Sequence, residues 1–333
     1  MELRRYTQMF NINSGYGAVA AHGGLMGPGK TFYVVNAADS AVANYLLQIF
    51  PPDPDGVDRV YVATSATADT AIQAALDACL ANRNDYVVVM PSGTNYSITV
   101  TLQMTKKGVH LICPTGMSNS GFPIGNTARL KSSVAATPVI NITAEACEVA
   151  GFYIKNYTAV EAITLATTVS GQNIHHNAFM MVWSGSPAPI ISGVGAGGAW
   201  GSIERNWFIS ETGTSITSAI AAISILAGAT GCRVCHNEVT IGDGNTASVA
   251  ISNLAVKGHT DFNIFSESGG SGAAPSGGTI TKCVAISTMG CAIENRGAVA
   301  TSGLLTGGTT GHSFVGNLAG TVTAGTDHWN PEA

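Results

Sequence analysis

Charge is scarce in this chain. Asp, Glu, Lys and Arg make up 11% of its 333 residues, less than half the roughly 25% of an ordinary soluble domain. A surface so poor in charge is expected to be covered in large part by partners, the alternative being a neutral monomer. Basic clusters are missing as well. Fifteen Lys and Arg stand against 20 Asp and Glu, and in the body of the chain only Lys106 and Lys107 adjoin. Phosphate backbones are held by clustered basic side chains, so no nucleic-acid partner is expected. No apolar run reaches the length that crosses a bilayer, so no membrane role is expected. Behind Arg4 and Arg5, Tyr6 to Gly17 lacks the continuous apolar core of an export signal, and export by that route is not expected. The seven cysteines are odd in number and scattered. That is unlike the dense, even framework of a small secreted domain and points to buried, reduced thiols.

Glycine is abundant, at 40 residues. Residues 1 to 30 end in Gly23-Gly24-Leu25-Met26-Gly27-Pro28-Gly29-Lys30 and hold no sustained periodicity. They are expected to form an arm that takes its structure from a partner. Phe50-Pro51-Pro52-Asp53-Pro54-Asp55-Gly56 reads as an exposed linker, closing an arm-and-linker region of residues 1–56. In residues 57–85, Ile72, Ala75, Leu76, Cys79 and Leu80 recur at the spacing of a helix with one apolar face. Thr70 and Gln73 have the spacing of a capping box, with Thr67 and Asp69 as competing starts. That helix is expected to lie across one end of the strand region. Residues 86–320 read as strands, and 321–333 as a tail. Tyr86 to Met90, Tyr96 to Leu102, Val109 to Cys113, Val139 to Ile142 and Ile163 to Ala166 are short apolar or alternating runs between turn residues. No second long helical pattern interrupts them, which argues against a doubly wound sheet.

A six-residue signature recurs through the strand region. It reads Val149-Ala150-Gly151-Phe152-Tyr153-Ile154, Ile174-His175-His176-Asn177-Ala178-Phe179, Ile203-Glu204-Arg205-Asn206-Trp207-Phe208, Val234-Cys235-His236-Asn237-Glu238-Val239 and Thr260-Asp261-Phe262-Asn263-Ile264-Phe265, at offsets of 25, 29, 31 and 26 residues. Periods of this size mean stacked coils. In the fourth position Asn177, Asn206, Asn237 and Asn263 align. Asn tolerates a left-handed bend, and its amide donates and accepts at once, so a hydrogen-bonded ladder from coil to coil is expected. The apolar first and sixth positions would stack inside, and irregular spacing would fall into loops such as Ser184 to Ala199. The register blurs past Thr279, with Gly316-Asn317-Leu318 as a last echo. The fold expected is all-β, a right-handed single-stranded parallel β-helix with an N-terminal arm and a capping α-helix. A β-sandwich or jelly roll is the competitor.

The stretch Ile72-Gln73-Ala74-Ala75-Leu76-Asp77, then Val87-Val88-Val89-Met90-Pro91-Ser92-Gly93-Thr94-Asn95-Tyr96, then Leu102 and Gly108-Val109-His110-Leu111-Ile112 resembles the opening of the pectate-lyase-like β-helix family of phage tailspikes and other phage structural proteins. In that family a capping helix precedes a strand ending in Pro-x-Gly-x-Tyr. Here an extra residue separates Thr94 from Tyr96, and Asn82-Arg83-Asn84-Asp85 replaces a Gly-rich turn. The arm, with Gly29-Lys30-Thr31-Phe32-Tyr33-Val34-Val35 and Phe50 to Val60, is similar to phage virion proteins described as β-helix components. The resemblance implies a virion structural protein made in the cytoplasm of a bacterial host: a homotrimeric capsid decoration or cement protein touching the major capsid protein or other virion proteins. The alternative is a tailspike or fibre that binds, and in one version cuts, a host surface polysaccharide.

Candidate chemistry is thin, and no cofactor or metal is expected. If the second position of each coil points outward, His175, Glu204, Cys235 and Asp261 form a row. Glu204 and Asp261 are then the alternative catalytic pair, as a polysaccharide lyase or glycoside hydrolase would need. The bland reading is that solvated positions are polar anyway. His175 and Trp207 are weak binding candidates, and Trp183, Trp200 and Trp329 could also stack on sugars or pack between chains. Cys232, Cys235 and His236 invite a zinc site, but residues three apart on a strand face opposite ways, and Cys232 or Cys283 as buried stack members is the simpler reading. Gly24 to Thr31 fits the letters of a phosphate-binding loop without the strand before it or the helix after it.

Overall fold

The computed structural model describes residues 29–64, 66, 68–114, 127–132, 137–156, 161–181, 194–195, 199–210, 217–226, 229–241, 246–255, 258–267, 279–286, 292–298, 303–306 and 313–314. Most strands from Tyr86 to Ile241 are short, carrying one or two inward apolar side chains before a turn, whereas Thr217–Ile225, Thr246–Asn253 and His259–Glu267 run to eight or nine residues. In Asn173–His175, Ser202–Glu204 and Arg233–Cys235 the middle residue, Ile174, Ile203 or Val234, lies in the core and its neighbours alternate away from it.

Every strand pairing among the described residues is parallel, in one 17-stranded and one 8-stranded sheet. This excludes the antiparallel sandwich there. The registers run Val149↔Ile174↔Ile203↔Val234↔Thr260 and Ile154↔Phe179↔Phe208↔Val239↔Phe265. These are the first and sixth positions of the signature, so the sequence offsets are the pairing offsets. Phe179 and Phe208 stack at 4.7 Å and 5°, and each buried side chain of this size contributes roughly 1.5–3 kcal/mol. The smaller sheet takes the third strand of each level, including Leu102–Met104, Ile140–Ile142, Ile163–Leu165 and Thr217–Ile225. The chain is mostly β, with few helices and parallel strands in two sheets that do not close on each other, an arrangement compatible with a β-helix. Pairing continues past Thr279, where the sequence pattern fades: Thr279–Ile286, Ala292–Ala298, Gly303–Thr306 and Ser313–Phe314 all join by parallel registers.

Two helices flank the early strands. Helix α1, Ser40–Ile49, was not expected from the sequence, although Val42, Leu46 and Ile49 have helical spacing. Val42, Ala43, Tyr45, Leu46 and Phe50 pack over Tyr33, Val60, Tyr86 and Val88 on the outer face of the larger sheet. Helix α2, Ala68–Ala78, buries Ala68, Ile72, Ala75 and Leu76 in the main core and packs on Val60–Ala63, Asn95–Ile98 and Leu102–Met104. It starts two residues before Thr70, so the Thr70–Gln73 capping box does not form. The Gln73 amide instead exchanges hydrogen bonds with the Gln103 backbone, at 2.8 and 3.2 Å. Buried Asp69 accepts from the Thr99 N–H at 2.8 Å, the Thr99 hydroxyl at 2.6 Å and the Val100 N–H at 2.7 Å. Those bonds divert the chain, so the single strand expected over Tyr96 to Leu102 is two, Asn95–Ile98 and Leu102–Met104.

Thr31–Asn36, within the region read as arm and linker, pairs with Val60–Ala63 on one side and Tyr86–Val89 on the other. Its entry is fixed by fully buried Asp85, which accepts from the Lys30 and Leu80 backbone N–H groups and from Arg83. The Lys30 ammonium pairs with Asp53. A Cβ on Gly29 would stand 1.9 Å from the Asn84 carbonyl oxygen, so only glycine fits there.

Candidate functional site

The bend after each signature strand places the polar groups. The left-handed residue is the third of the signature, not the Asn: Gly151, His176, Arg205 and His236 have φ of 85°, 53°, 54° and 55°. This corrects the expectation that Asn takes the left-handed turn. Bending one residue earlier directs the following Asn side chain inward, where an amide can be satisfied from both sides.

Asn177, Asn206, Asn237 and Asn263 form a continuous buried column. The Nδ2 of Asn177 donates to Oδ1 of Asn206 at 3.1 Å, and the same bond repeats from Asn206 to Asn237 and from Asn237 to Asn263 at 3.1 Å each. Each Nδ2 also donates to a backbone carbonyl: Val149, Ile174, Ile203 and Val234 in turn. Each Oδ1 accepts the backbone N–H of the fourth position one level earlier, beginning with Phe152 at 3.0 Å. The column therefore meets the requirement that buried polar groups be paired. In backbone register Asn295 follows Asn263, with one residue fewer between it and Glu294 than between Asn263 and Asp261.

On the outer face, two columns alternate with the inward one. The first contains Tyr86, His110, Glu148, Asn173, Ser202, Arg233 and His259, and the second Val88, Ile112, Ala150, His175, Glu204, Cys235, Asp261 and Glu294. Glu148, absent from the sequence-based site, sits between two histidines. Its Oε2 is 2.6 Å from His110 Nδ1 and its Oε1 2.6 Å from His175 Nε2, while His175 Nδ1 lies 2.7 Å from His176 Nδ1. Tyr86 stacks on the His110 ring at 4.4 Å. Burial pushes the Glu148 carboxyl up, but the bonds from His110 and His175 and their charges outweigh it and hold it at about 2. Burial, and then the charges of His175 and Arg205, lower His176 to about 4, against a smaller opposite pull from Glu204 and Glu148. With Glu148 ionised, His110 donates Nδ1–H and His175 donates Nε2–H.

His175, a binding candidate by sequence, thus has both ring nitrogens in bonds within the chain. Trp207 is half-buried at the start of Trp207–Ser210 and in register with Ala178 and Glu238. Glu204 and Asp261 do fall in one row, two levels apart with Cys235 between them, and the Cys235 thiol donates to Glu204 at 3.5 Å. At 4.7–4.9 Å per strand their backbones are about 9.6 Å apart.

No family model matches the chain. No curated protein matches it either. Among solved structures it is similar to one described as "Geobacillus virus E2 - ORF18", at 11% identity and a TM-score of 0.32, covering 87% of this chain and 73% of that one. A likeness of that size carries no argument about fold or role.

Among the remaining candidates, Cys79, Cys113, Cys147, Cys232 and Cys235 are all buried, and Cys232 belongs to the main core. Burial, with the Asp85 charge second, pushes the Cys79 thiol up to about 12. Among the described residues no group of three or more His, Cys, Asp or Glu is placed to hold a metal, and no helix is long and apolar enough to cross a membrane. Of the phosphate-loop letters, Lys30 is engaged by Asp53 and Thr31 opens a strand, while 24–28 lie outside the described residues. So do Trp183, Trp329, Asn317, most of the loop from Ser184 to Ala199, and the side chains of Cys283 and Asp261.

Proposed function

We propose that the chain is a right-handed, single-stranded parallel β-helix that works without chemistry, as a structural protein of a phage virion: a homotrimeric capsid decoration or cement protein anchored through its arm, residues 1–30. The observation that carries this reading is where the buried polarity goes. The Asn column and the His110–Glu148–His175–His176 cluster both join one level of the stack to the next, so the polar groups most able to do chemistry serve stiffness. A stiff rod with so little charge suits a role performed by buried contact area. The resemblance of Ile72 to Ile112 to pectate-lyase-like phage proteins supports the virion setting, the trimer and partners among the capsid proteins. Sedimentation velocity on the full chain is expected to give three times the monomer mass. Particles assembled with the chain lacking residues 1–30 are expected to lose it, while the truncated protein stays a folded trimer; undiminished occupancy would reject the anchoring role.

One observation favours a second reading, a tailspike or fibre that takes a host surface polysaccharide. Glu204 and Asp261 occupy the same register position two levels apart, with backbones about 9.6 Å apart, just beyond the roughly 9.5 Å upper end of the carboxylate separations used in glycoside hydrolysis. Binding or cleavage of host glycans by the purified protein, abolished in Glu204→Gln, would decide for it.

A further inference from the structure

Resting on the second reading, in which the chain takes a host surface polysaccharide, we infer that the outer face of Asn95–Ile98, Arg129–Ser132, Tyr153–Asn156, Ala178–Met181 and Trp207–Ser210 is a site for an acidic saccharide. Arg129, Lys131 and Lys155 hold its carboxylates, and Tyr153 and Trp207 its rings. These strands lie side by side in parallel register. Tyr96, Leu130, Ile154, Phe179 and Phe208 belong to the core, so the residues on either side of each face outward. One outward column runs Asn95, Arg129, Tyr153, Ala178 and Trp207, and the other Ser97, Lys131, Lys155, Met180 and Ile209.

Three cations therefore stand on two neighbouring strands of a chain whose formal net charge is −5. The five strands hold no Asp or Glu. Lys131 and Lys155 are direct register partners, with backbones about 4.8 Å apart, and like charges set opposite each other across strands destabilise a sheet. Arg129 shares the strand and the face of Lys131. Its guanidinium is fixed by a bond to the Gly93 carbonyl, and its buried Nε has no partner. Glutamine at either lysine position would cover the same surface without repulsion. A local rule broken without gain to the fold marks a place where function is served.

The rest of the two columns decides the kind of anion. A nucleic-acid strand calls for positive charge that tracks its backbone. Here the charge stops: past Lys155 the columns pass to Ala178, Met180, Trp207 and Ile209, and then to Glu238 and Thr240. What continues is aromatic. Tyr153 and Trp207 lie in one column on either side of the small, buried Ala178, two levels or about 9.6 Å apart, and both are partly exposed. Sugar rings stack on aromatic faces, their carboxylates take charge-assisted bonds from Lys and Arg, and Asn95 and Ser97 border the cations with neutral hydrogen-bonding groups. Glu204 lies on the preceding strand, Ser202–Glu204, across the Asn bend, so binding here is separable from any chemistry there.

The test is titration calorimetry on the full chain with an oligomannuronate hexamer, the same hexamer with its carboxyls reduced to alcohols, and a six-nucleotide thymidine strand. The parent chain is expected to bind the acidic hexamer, less tightly as salt rises, and not the reduced one. Lys131→Gln and Lys155→Gln are each expected to weaken binding by about tenfold, the loss of one charge-assisted bond. Their thermal midpoints should equal or exceed the parent's because a repulsion is relieved, which separates lost binding from lost fold. A reduced hexamer bound as well as the acidic one overturns the inference. A thymidine strand bound as tightly as the acidic hexamer overturns it in favour of a general polyanion surface. Host glycans bound alike by the parent and both lysine variants, yet lost in Glu204→Gln, overturn this site and leave the second reading standing. A folded parent that binds neither the acidic hexamer nor host glycans removes that reading, and this inference with it.

Discussion

Asn206 makes two bonds through Nδ2 and accepts two through Oδ1, all buried. Truncation to Ala would strand donors on Asn177 and acceptors on Ile174 and Asn237 at about 1–3 kcal/mol each. Asn206→Ala is therefore expected to lose roughly 3 kcal/mol or more, read as a lower urea midpoint. Acid should act in two stages. The unfolded chain protonates His176 near 6.5 and the folded chain only near 4, so stability falls as pH drops through that window. Glu148 is held at about 2 against 4.5 unfolded; its contribution, on the order of 3 kcal/mol, is complete above 4.5 and is lost as pH falls towards 2. Thermal midpoints across pH 7 to 2 should show both stages, and Glu148→Gln should lower the midpoint at pH 7 and shrink the acidic stage to what Asp69 and Asp85, both also held below the usual carboxylate range, contribute. An unchanged acid profile in that variant would remove Glu148 from the account. The Asn column was legible because the same letter recurs at the same place in each signature. Glu148 was not, since its partners stand 38 and 27 residues away and no local pattern marks them.

Among the elements, α2 was legible from the spacing of Ile72, Ala75 and Leu76, but its first turn was not. Asp69 lies inside the helix and uses its carboxylate on Thr99 and Val100, 30 and 31 residues away. Burial raises that carboxyl, and the bonds from Thr99, Val100 and Thr70 outweigh it and keep it below the usual range. Asp69→Asn should weaken these bonds by about 2 kcal/mol in all. Hydrogen exchange at the Thr99 and Val100 amides should then speed up more than at Leu111 or Val149; equal protection would reject the role given to Asp69. Helix α1 was missed because it holds no charged residue from Ser40 to Ile49: its exposed side carries the uncharged Ser40, Asn44 and Gln48 mixed with Leu47 and Ile49, a weak contrast with the side that covers Tyr33 and Val60.

For the whole molecule, each level touches chiefly its neighbours, so stability should behave as a sum of levels and their contacts. If the levels further assemble as the proposed trimer, the thermal midpoint should rise with protein concentration; a midpoint constant over a hundredfold range would count against a trimer linked to folding. By itself the sequence determined the alternation of buried residues, the offsets between levels and the column of Asn, because each depends on spacing within a few residues or on repetition of one short pattern. Tertiary structure alone decided which outward groups meet: His110 with Glu148, Glu148 with His175, Asp69 with Thr99, and Lys131 with Lys155. Those meetings depend on the length of every intervening turn and on a left-handed bend one residue before the Asn, and a register summed over whole levels leaves no mark in any single stretch of chain.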